Sequence, residues 1–142
     1  MECEFSNQNA TSEEIKEILQ NSKTIAIVGI SADESKDSFR VAKYLQEHDY
    51  KIIPVNPKYS EILDEKCYPD LKSIPEKVDI VNIFRKPEAV PSIVDEAIEI
   101  GAKVIWMQLG ICHNAAAEKA RNAGLKVVMN KCTKVEHANV LF

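Results

Sequence analysis

The stretch IAIVGISADESKDSF, residues 25–39, decides the fold. Ile25, Ala26, Ile27 and Val28 run without a polar break, the pattern of a strand covered on both faces, as in a parallel sheet between helix layers. Gly29 then allows a tight exit, and a polar loop leads into a helix over 38–47, where Val41, Ala42 and Leu45 recur at helical spacing. A nucleotide-binding fold holds phosphate at this point, on backbone N–H groups and the positive end of a helix. Yet positions 29–34 read Gly-Ile-Ser-Ala-Asp-Glu, so the second and third glycines of G-x-G-x-x-G are absent.

The rest of the chain repeats the alternation. An amphipathic helix over 12–21, with Ser12 as its expected N-cap, precedes the first strand. Strands are expected at 51–55, 79–84, 103–108 and 126–129. Helices follow the third and fourth, the first with Pro87 in its opening turn and Gly101 at its end, the second over 114–123 with Gly124 at its end. The segment 58–76 is broken by Pro69 and Pro75 and holds one short helical turn near 71–74. Strand and helix in alternation predict an α/β fold: a Rossmann-like, doubly wound parallel sheet of about five strands in three α/β/α layers. Residues 1–22 form an N-terminal helical lead-in and residues 23–142 the doubly wound domain.

Composition narrows the function. A chain of 142 residues, 45% hydrophobic, fits one compact domain. A formal net charge of -4 argues against broad nucleic-acid binding. The longest uncharged apolar-rich stretch, 104–112, is too short to span a bilayer, and 1–9 lacks the apolar core of a secretion signal, so a soluble, cytoplasmic protein is expected. Cys3, Cys67, Cys112 and Cys132 are widely spaced and show no CxxC, which predicts reduced thiols and no metal site.

In a doubly wound sheet, ligands bind outside the carboxyl ends of the strands. Five loops lie there, beginning Gly29-Ile30-Ser31, Asn56-Pro57-Lys58, Arg85-Lys86-Pro87, Gln108-Leu109-Gly110 and Asn130-Lys131-Cys132. Three contain a cation, and Lys36, Arg40 and Lys43 lie on or near the helix behind the first loop, so the ligand is an anion. A nicotinamide-dinucleotide fold carries an acid at the end of its second strand, on the ribose hydroxyl. Here that place holds Lys58, which suits a ribose bearing a phosphate, as in NADP or coenzyme A. No Walker GK[ST] occurs. Cys132 and His137 form a candidate thiol–base pair, which would have to meet within hydrogen-bond reach. Trp106 reads as core, with an indole N–H that needs a partner. His113 reads as a loop or helix-start residue and His48 as a solvated one.

The motifs IAIVGIS, RVAKYL, IIPVNPK, DIVNIFRKPEAVP, AKVIWMQLGI and GLKVVMNKCTKVEH, in that order over residues 20–140, resemble the small stand-alone CoA-binding proteins with a Rossmann-like CoA-binding domain. A similar domain forms the N-terminal part of the succinyl-CoA synthetase alpha subunit and of related nucleotide-diphosphate-forming acyl-CoA synthetases. The resemblance implies that Gly29, Ile30 and Ser31 meet the diphosphate, with Arg40 behind them. It implies that Val55, Asn56 and Pro57 flank the adenosine and that Lys58 lies near the 3′-phosphate. Ile83, Phe84 and Arg85 would line the path to the pantetheine, and Trp106, Gln108 and Gly110 would border its end. The function so implied is binding of coenzyme A or an acyl-CoA as a carrier, a sensor or a partner subunit in acyl-CoA metabolism. The synthetases' ligase domain and phosphorylatable histidine have no counterpart here, so no catalytic residue is assigned. Two readings compete: a small NADP-binding oxidoreductase or redox sensor, and an interaction module without a ligand. Free CoA against acyl-CoA, the oligomeric state and the role of Cys132 stay open.

Overall fold

A computed structural model describes residues 9–141. Its centre is a five-stranded parallel sheet in the order β2-β1-β5-β6-β7, built from β1 (Thr24–Val28), β2 (Lys51–Val55), β5 (Ile80–Ile83), β6 (Val104–Met107) and β7 (Lys126–Val128). β1, β5 and β6 are covered on both faces, as their unbroken apolar runs require. β2 is an edge strand and tolerates Pro54, since an edge need not donate every N–H to a ladder.

Helices cover both faces. One face packs Val90, Ile93, Val94 and Ala97 of α3 (Val90–Glu99) and Ala116, Ala117 and Ala120 of α4 (Asn114–Asn122) against the sheet. The other receives α1 (Ser12–Asn21), α2 (Asp37–Glu47) and α5 (Thr133–Leu141). This is an α/β Rossmann-like fold of three layers.

The helix starts differ in detail from expectation. Thr11, not Ser12, caps α1: its hydroxyl accepts from the Glu14 N–H while the Glu14 carboxylate accepts from the Thr11 N–H, a reciprocal capping box. The lead-in helix packs onto the sheet layer, with Ile15, Ile18 and Leu19 buried there. The Tyr50 hydroxyl donates to the Leu19 carbonyl at 2.6 Å, and burial pushes that phenol up to about 12. The Asn9 amide meets both the N–H and the carbonyl of Met129, as a neighbouring strand would.

Two elements escaped the sequence reading. Within 58–76 a small antiparallel hairpin, β3 (Glu61–Ile62) and β4 (Glu65–Lys66), turns on Leu63 and Asp64, both at positive φ (55° and 62°). A turn of this sign usually carries Asn or Gly, and Leu63 gives no such signal. The other is α5, whose inward side chains include Thr133 and His137, polar residues that break an apolar stripe.

The cysteines also depart from expectation. Cys112 is disulfide-bonded, whereas Cys67 and Cys132 are free thiols. Cys3 lies outside the described residues.

At the sheet centre the chain leaves β1 toward one face and β5 toward the other, which places the ligand crevice of a doubly wound fold between them. Gly29, at φ +87°, fills this crossing. A Cβ there would run into the Phe84 carbonyl oxygen and sit 2.7 Å from Arg85 Cδ. Gly29→Ala therefore combines left-handed strain with a backbone collision and is expected to cost about 2–5 kcal/mol of stability, read as a lower chemical-denaturation midpoint. A change within error of zero would mean that the two strand exits are not held this close.

A second prediction concerns α5. His137 is buried, with Nδ1 at 2.9 Å from the Tyr44 hydroxyl and the rings of His48 and Tyr50 against it, while Lys134 lies over the Tyr44 ring. Burial, reinforced by His48, holds the His137 imidazole below its ordinary value. The native state then resists a proton that the unfolded chain accepts near pH 6.5, so stability is present above that pH and is lost as the pH falls through the lower native value. The thermal midpoint should fall between roughly pH 7.5 and pH 5.5, and His137→Gln should flatten that slope. An unchanged slope in the variant would assign the proton elsewhere.

Candidate anion-binding cleft at the carboxyl edge of the sheet

Two clefts open along the edge where the strands end, and they meet at Arg85. The larger, about 710 Å³, lies over β5, β6 and β7 and is walled by Arg40 and Val41 of α2, by 84–87, by 108–111, and by Cys132, Lys134 and Val135 at the start of α5. The smaller, about 200 Å³, lies over β1 and β2 and is lined by Gly29, Val55, Pro57, Leu71, Arg85 and Ile93 among others. Arg85 stands in both walls. On a chain of net charge -4, Arg40, Arg85, Lys86 and Lys134 surround the larger cleft against one carboxylate, Asp37. Such a local excess of positive charge favours an anion.

The first loop is ordered by its own hydrogen bonds. The Gly29 N–H donates to the Val55 carbonyl at 2.9 Å, and the Ser31 N–H to Ser38 Oγ at 3.0 Å. The Ser31 hydroxyl in turn accepts from the Asp33 N–H. These amides are therefore engaged with the protein, and Ile30 is buried, its carbonyl taken by the Asn56 amide at 2.9 Å. A different donor set stands at the start of α2. Lys36 occupies its N-cap and supplies no side-chain cap, so the first-turn N–H groups carry the positive end of the helix uncapped. Arg40 lies one turn on and pairs with Asp37 at 2.6 Å across an exposed surface, a contact that contributes little stability and is easily exchanged for a ligand anion.

The loop after β2 is an Asx turn. Asn56 Oδ1 accepts from the Lys58 N–H at 2.9 Å, while its amide nitrogen holds Ile30, so Asn56 joins the first two loops. Val55 is buried and Pro57 is exposed, both lining the smaller cleft, and Lys58, the next residue along the chain, is exposed.

Other sequence-named residues serve the interior. Ile83 is fully buried core. Trp106 is fully buried, its indole N–H donating to the Lys131 carbonyl at 2.8 Å, so its side chain stays out of the cleft and ties β6 to the loop after β7. Gly110 donates its N–H to Asn130 Oδ1 at 2.7 Å, a second tie between the same loops. Gln108, 3% exposed, reaches the cleft wall while its amide nitrogen donates to Asn82 Oδ1 at 2.5 Å and Thr133 Oγ1 at 2.9 Å. With the Asn82 amide on Thr133 at 3.0 Å, a buried polar triad pins α5 against β5 and β6. Sequence reasoning missed Asn82 and Thr133; an asparagine inside the apolar run of β5 was the available signal.

The proposed pairing of Cys132 with His137 does not form. Cys132 lines the larger cleft, whereas His137 turns into the layer between α5 and α2 on the Tyr44 hydroxyl. His48 is half-buried, its ring stacked on Tyr44 at 4.0 Å between centroids, rather than simply solvated. His113 caps α4, with Nδ1 accepting from the Ala116 N–H. No helix among the described residues is long and apolar enough to cross a membrane.

Against known proteins this chain has full-length and partial counterparts. Uncharacterized protein YneT of Bacillus subtilis is 44% identical over 131 residues, which cover 92% of this chain and 97% of that protein. A hypothetical protein from Pyrococcus horikoshii OT3 superposes with a TM-score of 0.92 at 44% identity, covering 100% of both chains. An ADP-forming acetate–CoA ligase of Methanocaldococcus jannaschii is 35% identical over 126 residues, 83% of this chain but only 18% of the ligase. The family model described as a CoA binding domain matches residues 23–138. The chain thus belongs to the CoA-binding domain family.

Proposed function

We propose that this chain binds coenzyme A or an acyl-CoA and serves as a carrier, sensor or partner subunit in acyl-CoA metabolism, with no complete catalytic apparatus of its own. The observation that carries the reading is the junction of a small cleft of mixed apolar and charged lining with a larger cation-rimmed one at a single arginine, Arg85. Coenzyme A has the matching order of parts: a flat purine, a phosphorylated ribose and diphosphate, and a thin arm of mixed polarity.

In this reading the adenine occupies the slot among Val55, Pro57, Leu71 and Ile93, and Lys58 meets the 3′-phosphate beside it. The diphosphate lies at the first turn of α2, within reach of Arg85 and Arg40, and passes close to Gly29, where any side chain would close the path. The pantetheine arm follows the larger cleft, past Phe84 and Gln108, between the exposed side chains of Leu109 and Val135, which are 70% and 50% accessible. Large apolar side chains left this open at a cleft mouth suit the methyl groups and methylenes of such an arm.

Calorimetric titration with coenzyme A, its dephospho form lacking the 3′-phosphate, and NADPH tests the proposal. Coenzyme A should bind more tightly than either of the others. A charge-assisted contact is worth about 1.5–3 kcal/mol, so Lys58→Ala should weaken coenzyme A by about 10- to 100-fold while leaving the dephospho form nearly unchanged. Arg85→Ala should weaken both by a similar factor. Tighter binding of NADPH than of coenzyme A would overturn the reading in favour of a dinucleotide site.

A further inference from the structure

Among the described residues, Glu96 Oε1 is the one buried side-chain oxygen or nitrogen without a hydrogen-bond partner. Buried polar atoms are almost always paired, and an exception calls for a reason. The acids around it are all served. Lys119 pairs with Asp95, and Lys72 with Glu99 at 3.2 Å. Asp70 Oδ1 accepts from both the N–H and the hydroxyl of Ser73, capping the turn Leu71–Ser73. Glu96 alone of these four acids keeps a buried oxygen unmatched.

Its place in the fold points to a ligand. Ile93 and Glu96 lie three residues apart on one face of α3, and both stand in the wall of the smaller cleft with Val55, Pro57 and Leu71. That cleft, about 200 Å³, is smaller than the roughly 300–1,000 Å³ of a site enclosing a whole drug-sized ligand, and it suits a single ring system. It joins the larger cleft at Arg85. At Asp70, Ser92 and Glu96 it joins an acidic hollow of about 360 Å³. The slot therefore runs, between apolar walls, from a cation to an unmatched acceptor. A base whose sugar and phosphates face Arg85 presents its far edge to Glu96. The last torsion of a glutamate side chain is soft, so a small turn of the carboxylate brings Oε1 to a donor in the slot.

We infer that Glu96 selects the base of the bound nucleotide, its carboxylate accepting from the 6-amino group of adenine; this rests on the coenzyme A reading above. Adenine carries a donor at that position, where guanine and hypoxanthine carry a carbonyl acceptor. A carbonyl placed there sets two acceptors against each other and leaves both unpaired, so the contact that attracts one base excludes the other. The unmatched oxygen costs the unliganded chain stability, a cost that a binding role explains.

Calorimetric titration of the full chain with coenzyme A and with its deaminated form, which bears hypoxanthine in place of adenine, tests the inference. The wild-type chain should bind coenzyme A about 10- to 100-fold more tightly, the worth of one hydrogen bond to a charged group. Glu96→Gln keeps the shape and gains an amino group that can face a carbonyl, so the two affinities should come within about 3-fold of each other. Glu96→Ala should narrow the ratio likewise by removing the contact. Equal wild-type affinities for the two forms overturn the inference and leave the coenzyme A reading standing. So do variants that weaken both forms by the same factor, since Glu96 would then act by positioning Arg85. Failure of the wild-type chain to bind coenzyme A removes the reading beneath.

Discussion

The close crossing of Gly29 and Phe84 at the middle of the sheet constrains everything built on it. A parallel sheet in the order β2-β1-β5-β6-β7 sends the chain from β1 and from β5 to opposite faces, and the two exits must pass each other. The Phe84 N–H reaches back to the Val28 carbonyl at 2.8 Å, and the Gly29 N–H reaches outward to Val55 at 2.9 Å, so the ladder runs past the strand ends. Only a residue without a side chain fits between. The close approach also turns Arg85 up at the boundary of two clefts. Gly29 thus lets the two exits pass and lies directly beside the Arg85 side chain.

Around that crossing, the carboxyl edge is braced by hydrogen bonds between successive loops. Asn56 links the first loop to the second, Trp106 and Asn130 link the fourth to the fifth, and the Asn82–Gln108–Thr133 triad fixes the start of α5. Polar groups buried this way stabilise only when every partner is present, and they then hold one arrangement. The consequence is a site whose walls are rigid before a ligand arrives. Its charged side chains Arg40, Arg85, Lys86 and Lys134 stay exposed at the rim. The ordering cost of binding therefore falls mainly on the ligand and a few long side chains rather than on loops.

The sheet and its helices were legible because their signals are local. Unbroken β-branched runs place β1, β5 and β6, and the stripes Ile15–Ile18–Leu19 and Val90–Ile93–Val94–Ala97 place α1 and α3. The site's cations were legible too, since topology assigns strand-end loops to one edge whatever their side chains do. Which loop residues face a ligand was not. Trp106 and Gln108 lie two positions apart in one strand run, yet one is sealed in the core and the other reaches the cleft wall. Only the fate of the indole N–H and of the side-chain amide separates them, and their partners, Lys131 for the one and Asn82 with Thr133 for the other, come from other segments of the chain. Helix α5 was hidden for the same reason: Thr133 and His137 interrupt its apolar side, and their burial makes sense only beside Asn82, Gln108 and Tyr44.

That dependence gives α5 a particular place in the molecule. A helix held by an apolar stripe would dock with little regard to its exact rotation, because hydrophobic contact is non-directional. This one is held by directional bonds, Thr133 to the sheet and His137 to α2, one helical turn apart. Both rotation and depth are thereby specified. The residues it carries to the cleft, Cys132 ahead of it and Lys134 and Val135 in its first turn, inherit that specification. Titration of His137 at one end of this pair of anchors would act on the cleft wall through a rigid helix rather than through the ligand's own contacts. The interior chemistry of α5 and the surface chemistry of the cleft are in this sense one design, and a change that loosens either anchor alters the site without touching a residue in it.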